Sequence, residues 1–149
     1  MSTLRAGQAI PGFTSVLQDG SSISSKELSR GKVILFFYPQ DNTPTCTEEA
    51  CNLRDHHPAI IKRGYRIYGV SPDSPRKHQN FIKKFKLPYP LISDPSLELI
   101  KKFGVWGPKK LFGREYDGVL RTTFILEDGI IQKIIDEVKA KSHADQILN

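Results

Sequence analysis

The feature that most constrains this fold is a short apolar run that ends at a proline and is followed by a helix start. Residues 33–38 are all apolar or aromatic (VILFFY), and Pro39 closes the run. A run of this length is typical of a strand that is buried on both faces of a sheet. Thr43 and Pro44 then predict a helix with Thr43 at its N-cap and Pro44 as its first residue.

A second strand is predicted beyond that helix. Apolar residues recur at helical spacing after Pro44, Pro58 is expected to kink or split the helix, and Gly64 is expected to end it. Residues 65–70 then tend to alternate between polar and apolar side chains, as in a strand. A strand, a helix and a strand in this order predict two parallel strands joined by a right-handed crossover.

The rest of the chain predicts further elements around this unit. Helix starts are expected at three capping residues, which are Ser74, Asp94 and Ser142. Strands are expected over residues 13–17, 121–126 and 130–135, the last two joined by a turn at Asp128 and Gly129. A βαβ unit followed by a ββα unit on one sheet is a thioredoxin-type layout. The predicted fold class is therefore α/β, a thioredoxin-like fold with a central mixed β-sheet flanked by helices in three layers.

Length and composition predict one globular domain, residues 1–149. The chain is 38% hydrophobic and 26% charged, and its 149 residues are enough to bury a core. No apolar run approaches the ~18 residues of a membrane-spanning helix, and the N-terminus lacks the apolar stretch of a secretory signal. We therefore expect a cytoplasmic protein with no membrane partner, in which paired cysteines are more often reactive or metal-binding than structural.

The chain carries a net charge of +6, and the excess is local. Residues 76–114 hold ten Lys or Arg and two acidic residues, a net charge of +8, whereas the remainder of the chain has −2. The simplest interpretation is a solvated helix surface. An acidic partner protein is a second interpretation, and nucleic acid is a third that we do not expect to apply.

Cys46 lies where a nucleophilic thiol is favoured. It follows Thr43 by three residues, in the first turn of the predicted helix, where unpaired backbone N–H groups and the helix dipole stabilise an anion. The preceding loop leaves the carboxyl end of a buried parallel strand, where open α/β sheets place their sites. Cys46 is therefore a candidate nucleophile, and the alternative is a small residue buried in the core.

Cys51 lies five residues further on, inside the same predicted helix. Five residues of helix separate the two Cα atoms by roughly 8–9 Å, whereas a disulfide needs less than about 7 Å. The two cysteines either never bond or bond only after the first turns of the helix unwind. Taken alone, Cys51 also fits a buried structural thiol.

Neither a zinc site nor a thioredoxin-type dithiol fits the spacing. The four histidines do not stand at metal-ligand spacing from the cysteines; they are His56, His57, His78 and His143. The cysteines form C-x4-C rather than C-x-x-C. We expect no metal and no organic cofactor, because a sulfur nucleophile carries the electrons itself.

A thiolate that reduces a peroxide needs a cation beside it and hydrogen-bond donors for the leaving oxygen. Arg121 opens the predicted strand 121–126, and if this strand runs antiparallel to residues 33–38 its start lies beside the loop of Cys46. Thr43 offers a hydroxyl, and Pro39 would shape the loop and exclude water. Arg121 also fits a surface residue at a strand end, and Thr43 a plain N-cap.

Together these residues resemble the active-site segment of the peroxiredoxins, P-x3-T-x2-C, which runs here from Pro39 through Thr43 to Cys46. The second cysteine, Cys51, is similar to that of the peroxiredoxin Q group, also called bacterioferritin comigratory protein. The segment RTTFI, which starts at Arg121, resembles the strand that carries the family's arginine. Further similar segments extend over nearly the whole chain.

The resemblance implies a thiol-dependent peroxidase for hydrogen peroxide and organic hydroperoxides. Cys46 would be oxidised to a sulfenic acid, and Cys51 would resolve it as an intramolecular disulfide after local unwinding of the helix. Thioredoxin or a similar dithiol protein would then reduce the disulfide. Thr43, Pro39 and Arg121 would form the pocket. The resemblance also implies a monomer.

One departure from the family and two other functions stay open. Thr45 stands before Cys46, where the group often has glycine, and its β-branched side chain is expected to stiffen the first helical turn. A thiol–disulfide oxidoreductase would use the same cysteines with little peroxidase turnover. A redox-regulated binding module would depend instead on the basic residues 76–114.

Overall fold

The chain folds into a mixed sheet with helices against both of its faces, and a two-stranded hairpin pairs apart from that sheet. A computed structural model describes residues 4–149, and for Leu111 the backbone alone. The strands are β1 (Thr14–Leu17), β2 (Ser22–Ser24), β3 (Lys32–Phe37), β4 (Tyr65–Ser71), β5 (Leu91–Ser93), β6 (Trp106–Leu111), β7 (Arg114–Val119), β8 (Thr122–Glu127) and β9 (Ile130–Ile135). The helices are α1 (Ser25–Leu28), α2 (Pro44–Asp55), α3 (His57–Lys62), α4 (Pro75–Phe85), α5 (Glu98–Lys102) and α6 (His143–Leu148), with a 3-10 turn at Ala140–Ser142.

The predicted βαβ unit forms the middle of the sheet. β3 and β4 pair in parallel, and α2 and α3 connect them. β8 pairs with β3 on the other side and runs antiparallel, so that Thr122 lies opposite Phe37. The full strand order is β2-β1-β5-β4-β3-β8-β9. The start of β8 therefore lies at the same edge of the sheet as the end of β3 and the loop that leads into α2.

Side chains of β3 alternate between two cores, one on each face of the sheet. Val33, Leu35 and Phe37 belong to the core that includes residues of α1 and α5. Ile34 and Phe36 belong to the core that includes residues of α2, α3, α4 and α6. All five side chains are at most 1% exposed. The prediction of a strand buried on both faces is confirmed, and the two cores account for the three-layer arrangement.

The start of α5 differs from the sequence prediction, and the predicted cap of α6 lacks its side-chain bond. Pro58 does split the first helix, because α2 ends at Asp55 and α3 begins at His57. The helix expected at Asp94 begins only at Glu98, since the chain first makes a turn in which the Leu97 N–H donates to the Asp94 carbonyl. The Asp94 carboxylate still caps α5 from outside, accepting from the N–H groups of residues 99 and 100. At α6, Ser142 stands at the N-cap, but its side chain makes no capping bond.

Several strands carry too weak a pattern to be predicted. β2 and β5 have three residues each, too few to establish a period of two. The hairpin of β6 and β7 is rich in charged residues, and β7 is exposed along most of its length, so neither strand shows an apolar face. β8 begins at Thr122, where its pairing with β3 begins. Arg121 therefore precedes this strand rather than opening it.

Candidate active site

Cys46 lies in the first turn of α2, directly after the loop that leaves β3. Thr43 is the N-cap residue, and Pro44 is the first helical residue, as predicted. The side chain of Thr43 does not cap the helix, because its hydroxyl donates to the carbonyl of Gln40 at 3.1 Å. The N–H groups of the first turn therefore have no side-chain cap, and together with the helix dipole they favour negative charge at this end of α2.

Arg121 is the cation beside Cys46. Its Nη2 donates to Cys46 Sγ at 3.1 Å. Cys46 is 1% exposed, and the Arg121 side chain is 17% exposed. Burial alone would lower the pKa of Arg121, but the charges of Glu49 and Cys46 outweigh burial and hold this pKa above its ordinary value. The guanidinium is therefore charged beside the sulfur, where it favours the thiolate.

Glu49 binds the other side of the same guanidinium. It lies one helical turn after Cys46, is fully buried, and accepts from Arg121 Nη1 through Oε1 at 2.6 Å. Its second oxygen, Oε2, has no hydrogen-bond partner among the residues that the structure describes. Burial raises the pKa of Glu49 from 4.5 to about 7, although the charge and hydrogen bond of Arg121 oppose this shift. One arginine is thus shared between a cysteine and a carboxyl group.

His143, the first residue of α6, completes a buried polar array around Glu49. Its Nε2 lies 3.6 Å from Glu49 Oε2 and 2.7 Å from the hydroxyl oxygen of Thr123 in β8. Its Nδ1 lies 2.8 Å from Oε1 of Gln146. Burial lowers the pKa of His143, the charge of Arg121 lowers it further, and the bond to Gln146 opposes both. α6 is thereby connected, through His143 and Glu49, to Arg121 beside Cys46.

Cys51 lies further along α2 in different surroundings. It is half-buried, and both cysteines are free thiols. Burial raises the pKa of Cys51, with the charge of Asp55 adding to the shift and that of Arg54 opposing it. Because α2 is a continuous helix from Pro44 to Asp55, the structure does not bring Cys51 to Cys46.

The loop between β3 and α2 is held by a buried network around Asp41. The Tyr38 hydroxyl donates to Asp41 Oδ1 at 2.5 Å, and His78 Nδ1 of α4 lies 2.6 Å from Asp41 Oδ2. The backbone N–H of Asp41 donates to Asp73 at 2.6 Å. The next residue, Asn42, has a φ of +63°, which side-chain-bearing residues adopt uncommonly. Pro39 is half-buried in this loop. The loop is therefore fixed at Asp41, just before the helix that carries Cys46.

The remaining charged residues do not form a metal site in the part of the chain that the structure describes. Residues 4–149 contain no group of three or more His, Cys, Asp or Glu side chains that could hold a metal ion. Within the same range, no helix is both long enough and apolar enough to cross a membrane.

Of the basic residues in 76–114, Lys84 donates to the side chain of Asn42 at 3.2 Å, and Lys109 donates to the Val119 carbonyl at 3.0 Å.

Of the residues singled out by sequence, the structure joins Cys46 to Arg121 and keeps Cys51 apart. Sequence reasoning did not identify Glu49 or His143. Glu49 stands three residues after Cys46, the spacing that places two side chains on one helix face, so its position was available as a signal. For His143 the sequence offers no signal, because only the packing of α6 against α2 brings it to the site.

Comparisons with known proteins agree on one family. A model of the AhpC/TSA family matches residues 6–134. The putative peroxiredoxin bcp of Haemophilus influenzae is 39% identical over 150 aligned positions, which cover 100% of this chain and 97% of that protein. Peroxiredoxin Bcp of Escherichia coli is 37% identical over 150 positions, covering 100% and 96%. A structure of the Xanthomonas campestris bacterioferritin comigratory protein, which addresses its alkyl peroxide reduction activity, has a TM-score of 0.85 and 31% identity, covering 99% of this chain and 95% of that one.

The fold and these matches define a peroxiredoxin, a thiol-dependent peroxidase with a thioredoxin-like fold that reduces hydroperoxides. The chain belongs to the AhpC/TSA family, and within it to the Bcp or peroxiredoxin Q group. The family, the fold class and the activity predicted from the sequence are confirmed.

Proposed function

We propose that Cys46 attacks the peroxide and that Cys51 resolves the product. The observation that carries the first role is the contact of Arg121 with Cys46 Sγ at 3.1 Å in a buried first helical turn. In the first step the Cys46 thiolate forms a bond to one peroxide oxygen while the O–O bond breaks. The sulfur loses two electrons and becomes a sulfenic acid, and the leaving hydroxide or alkoxide takes up a proton to become water or an alcohol.

Arg121, Thr43 and Pro39 serve this first step. The guanidinium stabilises both the thiolate and the negative charge that develops on the leaving oxygen. The Thr43 hydroxyl, at the start of the same helix, is free to turn from the Gln40 carbonyl toward a bound peroxide. Pro39, half-buried in the loop before α2, has no N–H and would shape that loop and exclude water. A cavity of about 850 Å³ lies beside Arg121, with Val105 in its wall, but Cys46, Thr43 and Pro39 do not line it.

The second step requires Cys46 to move to Cys51. The middle of α2 is anchored to other elements: Tyr89 donates to the Ala50 carbonyl at 2.7 Å, and Asn52 binds the backbone of residues 141 and 144. The first turn is more exposed, at Pro44 and Thr45. We therefore assign the unwinding to the first turns of α2. The Cys51 thiolate then attacks the sulfenic sulfur, the S–O bond breaks as the disulfide forms, and the leaving hydroxide takes up a proton to become water.

The disulfide is reduced by thioredoxin or a similar dithiol protein through thiol–disulfide exchange. We also propose that the protein works as a monomer, in which one chain supplies Cys46, Cys51 and Arg121. It belongs in the cytoplasm, where a dithiol reductant is kept reduced. Sedimentation at assay concentration tests the monomer, and the loss of turnover on omitting the reductant tests its role.

The deciding experiment is peroxide-dependent turnover with thioredoxin and its reductase. Cys46→Ser should abolish turnover. Cys51→Ser, the matched change on the same helix, should rapidly consume about one equivalent of peroxide and form a sulfenic acid on Cys46, which only further equivalents oxidise to higher acids. Turnover retained in Cys46→Ser would overturn the assignment. A full catalytic rate in Cys51→Ser would remove Cys51 from the mechanism while leaving Cys46 in place.

A further inference from the structure

Glu49 has a buried oxygen without a hydrogen-bond partner, and this bears on whether its carboxyl group is protonated. Glu49 is fully buried, Oε1 is occupied by Arg121, and Oε2 has no hydrogen-bond partner among the described residues. A bare carboxylate oxygen in such a place is unfavourable, because it has lost its hydration without gaining a hydrogen-bond donor. Nε2 of His143 lies 3.6 Å from it.

The hydrogen bonds around His143 determine which of its ring nitrogens carries a proton. Gln146 donates through Nε2 to the Glu137 carbonyl at 2.9 Å and accepts through Oε1 from the Lys139 N–H at 2.9 Å. The side-chain oxygen of Gln146 is thereby identified as the atom that faces His143 Nδ1. Because an amide oxygen only accepts, Nδ1 donates to it.

Neutral His143 therefore has its lone pair on Nε2, the atom that faces Glu49. The Thr123 hydroxyl, at 2.7 Å, then donates to that lone pair and has no hydrogen left for the carboxyl group. If Glu49 were ionised, its Oε2 would face the lone pair of His143 Nε2, and the two would repel each other. One proton added to this pair removes the conflict: on Glu49 Oε2 it leaves a neutral carboxyl group, and on His143 Nε2 it places a cation 3.6 Å from the carboxylate.

We propose that Glu49 and His143 share one proton in the reduced enzyme. This proton neutralises the negative charge of Glu49, so that the positive charge of Arg121 acts on the sulfur of Cys46. Glu49 and His143 are positioning residues, because they act on the sulfur through the guanidinium. The proposal rests on the proposed function of Cys46. When the shared proton is lost, Glu49 becomes a full anion, competes with the thiolate for Arg121, and adds a second negative charge to the buried site.

The charged and titratable groups that face Glu49 come from several elements. Arg121 precedes β8, His143 begins α6, Cys46 shares α2, and Tyr89 lies before β5, where the charge of Glu49 contributes to raising the pKa of Tyr89. Lys109 of β6 interacts electrostatically with Arg121 and Cys46. Of these groups, Glu49 has a pKa of about 7, so the loss of the proton falls near neutral pH.

The test is the pH dependence of Cys46 oxidation, measured by competition with a haem peroxidase for hydrogen peroxide. In the wild type the rate constant should fall about tenfold as the pH rises from about 7 to about 9, because a second anion beside the thiolate disfavours it. Glu49→Gln, a neutral analogue of the protonated side chain, should lose this alkaline fall and exceed the wild type about tenfold near pH 9. Glu48→Gln, the same change at the exposed neighbouring glutamate, should follow the wild type.

A Glu49→Gln profile that superimposes on that of the wild type overturns the proposal, as does a wild type without an alkaline fall. A second measurement uses the wild type alone and so does not depend on the folding of a variant. In isotope-labelled protein, the His143 Nε2 and Glu49 carboxyl resonances should shift with one common midpoint while Nδ1 stays protonated. A proton fixed on Nε2 instead of Nδ1, or a midpoint seen at only one of the two groups, contradicts a shared proton. If Cys46→Ser still consumes peroxide, the proposed function fails independently of the pH profile.

Discussion

Cys46 and Cys51 stand five residues apart on one helix and have opposite surroundings. Cys46 is buried in the first turn, with the Arg121 guanidinium 3.1 Å from its sulfur. Cys51 is half-buried in the body of the helix, and burial raises its pKa. Position on a helix and one neighbouring cation, rather than the side chain itself, therefore distinguish the proposed nucleophile from the proposed resolving thiol.

The two cysteines also differ in how firmly their backbone is held. Cys51 lies between Ala50 and Asn52, both of which are bonded to other elements. The turn that carries Cys46 is attached mainly through side chains, by Arg121 at Cys46 and Glu49. The reactive cysteine is therefore the mobile one in our account, and the resolving cysteine is the fixed one.

The largest effect should come from removing the cation that distinguishes Cys46. Arg121→Met should lower the rate constant for Cys46 oxidation by about 10²–10³-fold, because the thiolate and the developing charge both lose their donor. Stopped-flow or competition kinetics with hydrogen peroxide measures this. Arg114→Met, the same change at an exposed arginine of β7, is the control and should leave the rate within a factor of about two. Equal losses in both variants would mean that general charge, rather than contact, matters.

The next largest effect should be a pH-dependent change in the free energy of unfolding, which comes from Glu49, the buried acid near Cys46. The pKa of Glu49 is raised from 4.5 to about 7, so the folded state holds its proton more tightly than the unfolded chain does. The stabilisation from this group is complete below pH about 4.5 and is lost as the pH rises through about 7. Glu49→Gln does not titrate, so its stability relative to the wild type should increase by about 2–3 kcal/mol between pH 5 and pH 8.

Urea unfolding at the two pH values measures that change. Glu48→Gln serves again as the matched control and should show a difference below about 0.5 kcal/mol between the two pH values. A Glu49→Gln variant whose relative stability does not change with pH would show that Glu49 is already ionised in the folded protein.

The resolving cysteine should respond to pH in the opposite direction from Cys46. Because the pKa of Cys51 is raised, little of it is thiolate at neutral pH, and the resolution rate should increase about tenfold per pH unit below that pKa. The measurement is a single turnover with one equivalent of peroxide, quenched with acid at increasing times and analysed for disulfide. A resolution rate that is constant from pH 6 to pH 8 would place the limiting step in helix unwinding instead of thiol chemistry.

The smallest effect should come from the exposed residue before Cys46. Thr45→Gly should speed resolution by about two- to fivefold, because glycine removes a β-branched side chain and loosens the first turn by a few tenths of a kcal/mol or more. Thr45→Ala removes the branch but keeps a good helix former, so it should not speed resolution. Resolution in Thr45→Gly at the wild-type rate would show that this turn does not limit the step.

The parts of the fold with a strong pattern were predictable, and so was one contact in the site. The run at 33–38 and the Thr43-Pro44 start predict β3 and α2, and the hairpin turn at Asp128 predicts that β8 and β9 pair antiparallel. Arg121 was expected beside Cys46 on the condition that β8 runs antiparallel to β3, and the structure meets that condition. The hairpin of β6 and β7 was not predictable, since it lies on the surface and has no apolar face to mark it.

The buried array behind Arg121 could not be read from the sequence. His143 stands far from Cys46 in the chain, and its place depends on how α6 packs against α2. A histidine on a short terminal helix looks the same in sequence whether it faces solvent or a carboxyl group. The start of α5 was mispredicted for a related reason, because Asp94 caps that helix across a turn rather than from the adjacent position.

In the proposed mechanism, the first turns of α2 unwind so that Cys46 reaches a stationary Cys51. The most direct test adds one equivalent of hydrogen peroxide to the reduced protein and measures intact mass together with amide hydrogen exchange along α2. We predict a protein that is lighter by two hydrogen atoms, with faster exchange near Cys46 and unchanged exchange from Asn52 onward. A disulfide that forms with no increase in exchange near Cys46, or an oxidised protein that gains oxygen and never forms the disulfide, would contradict it.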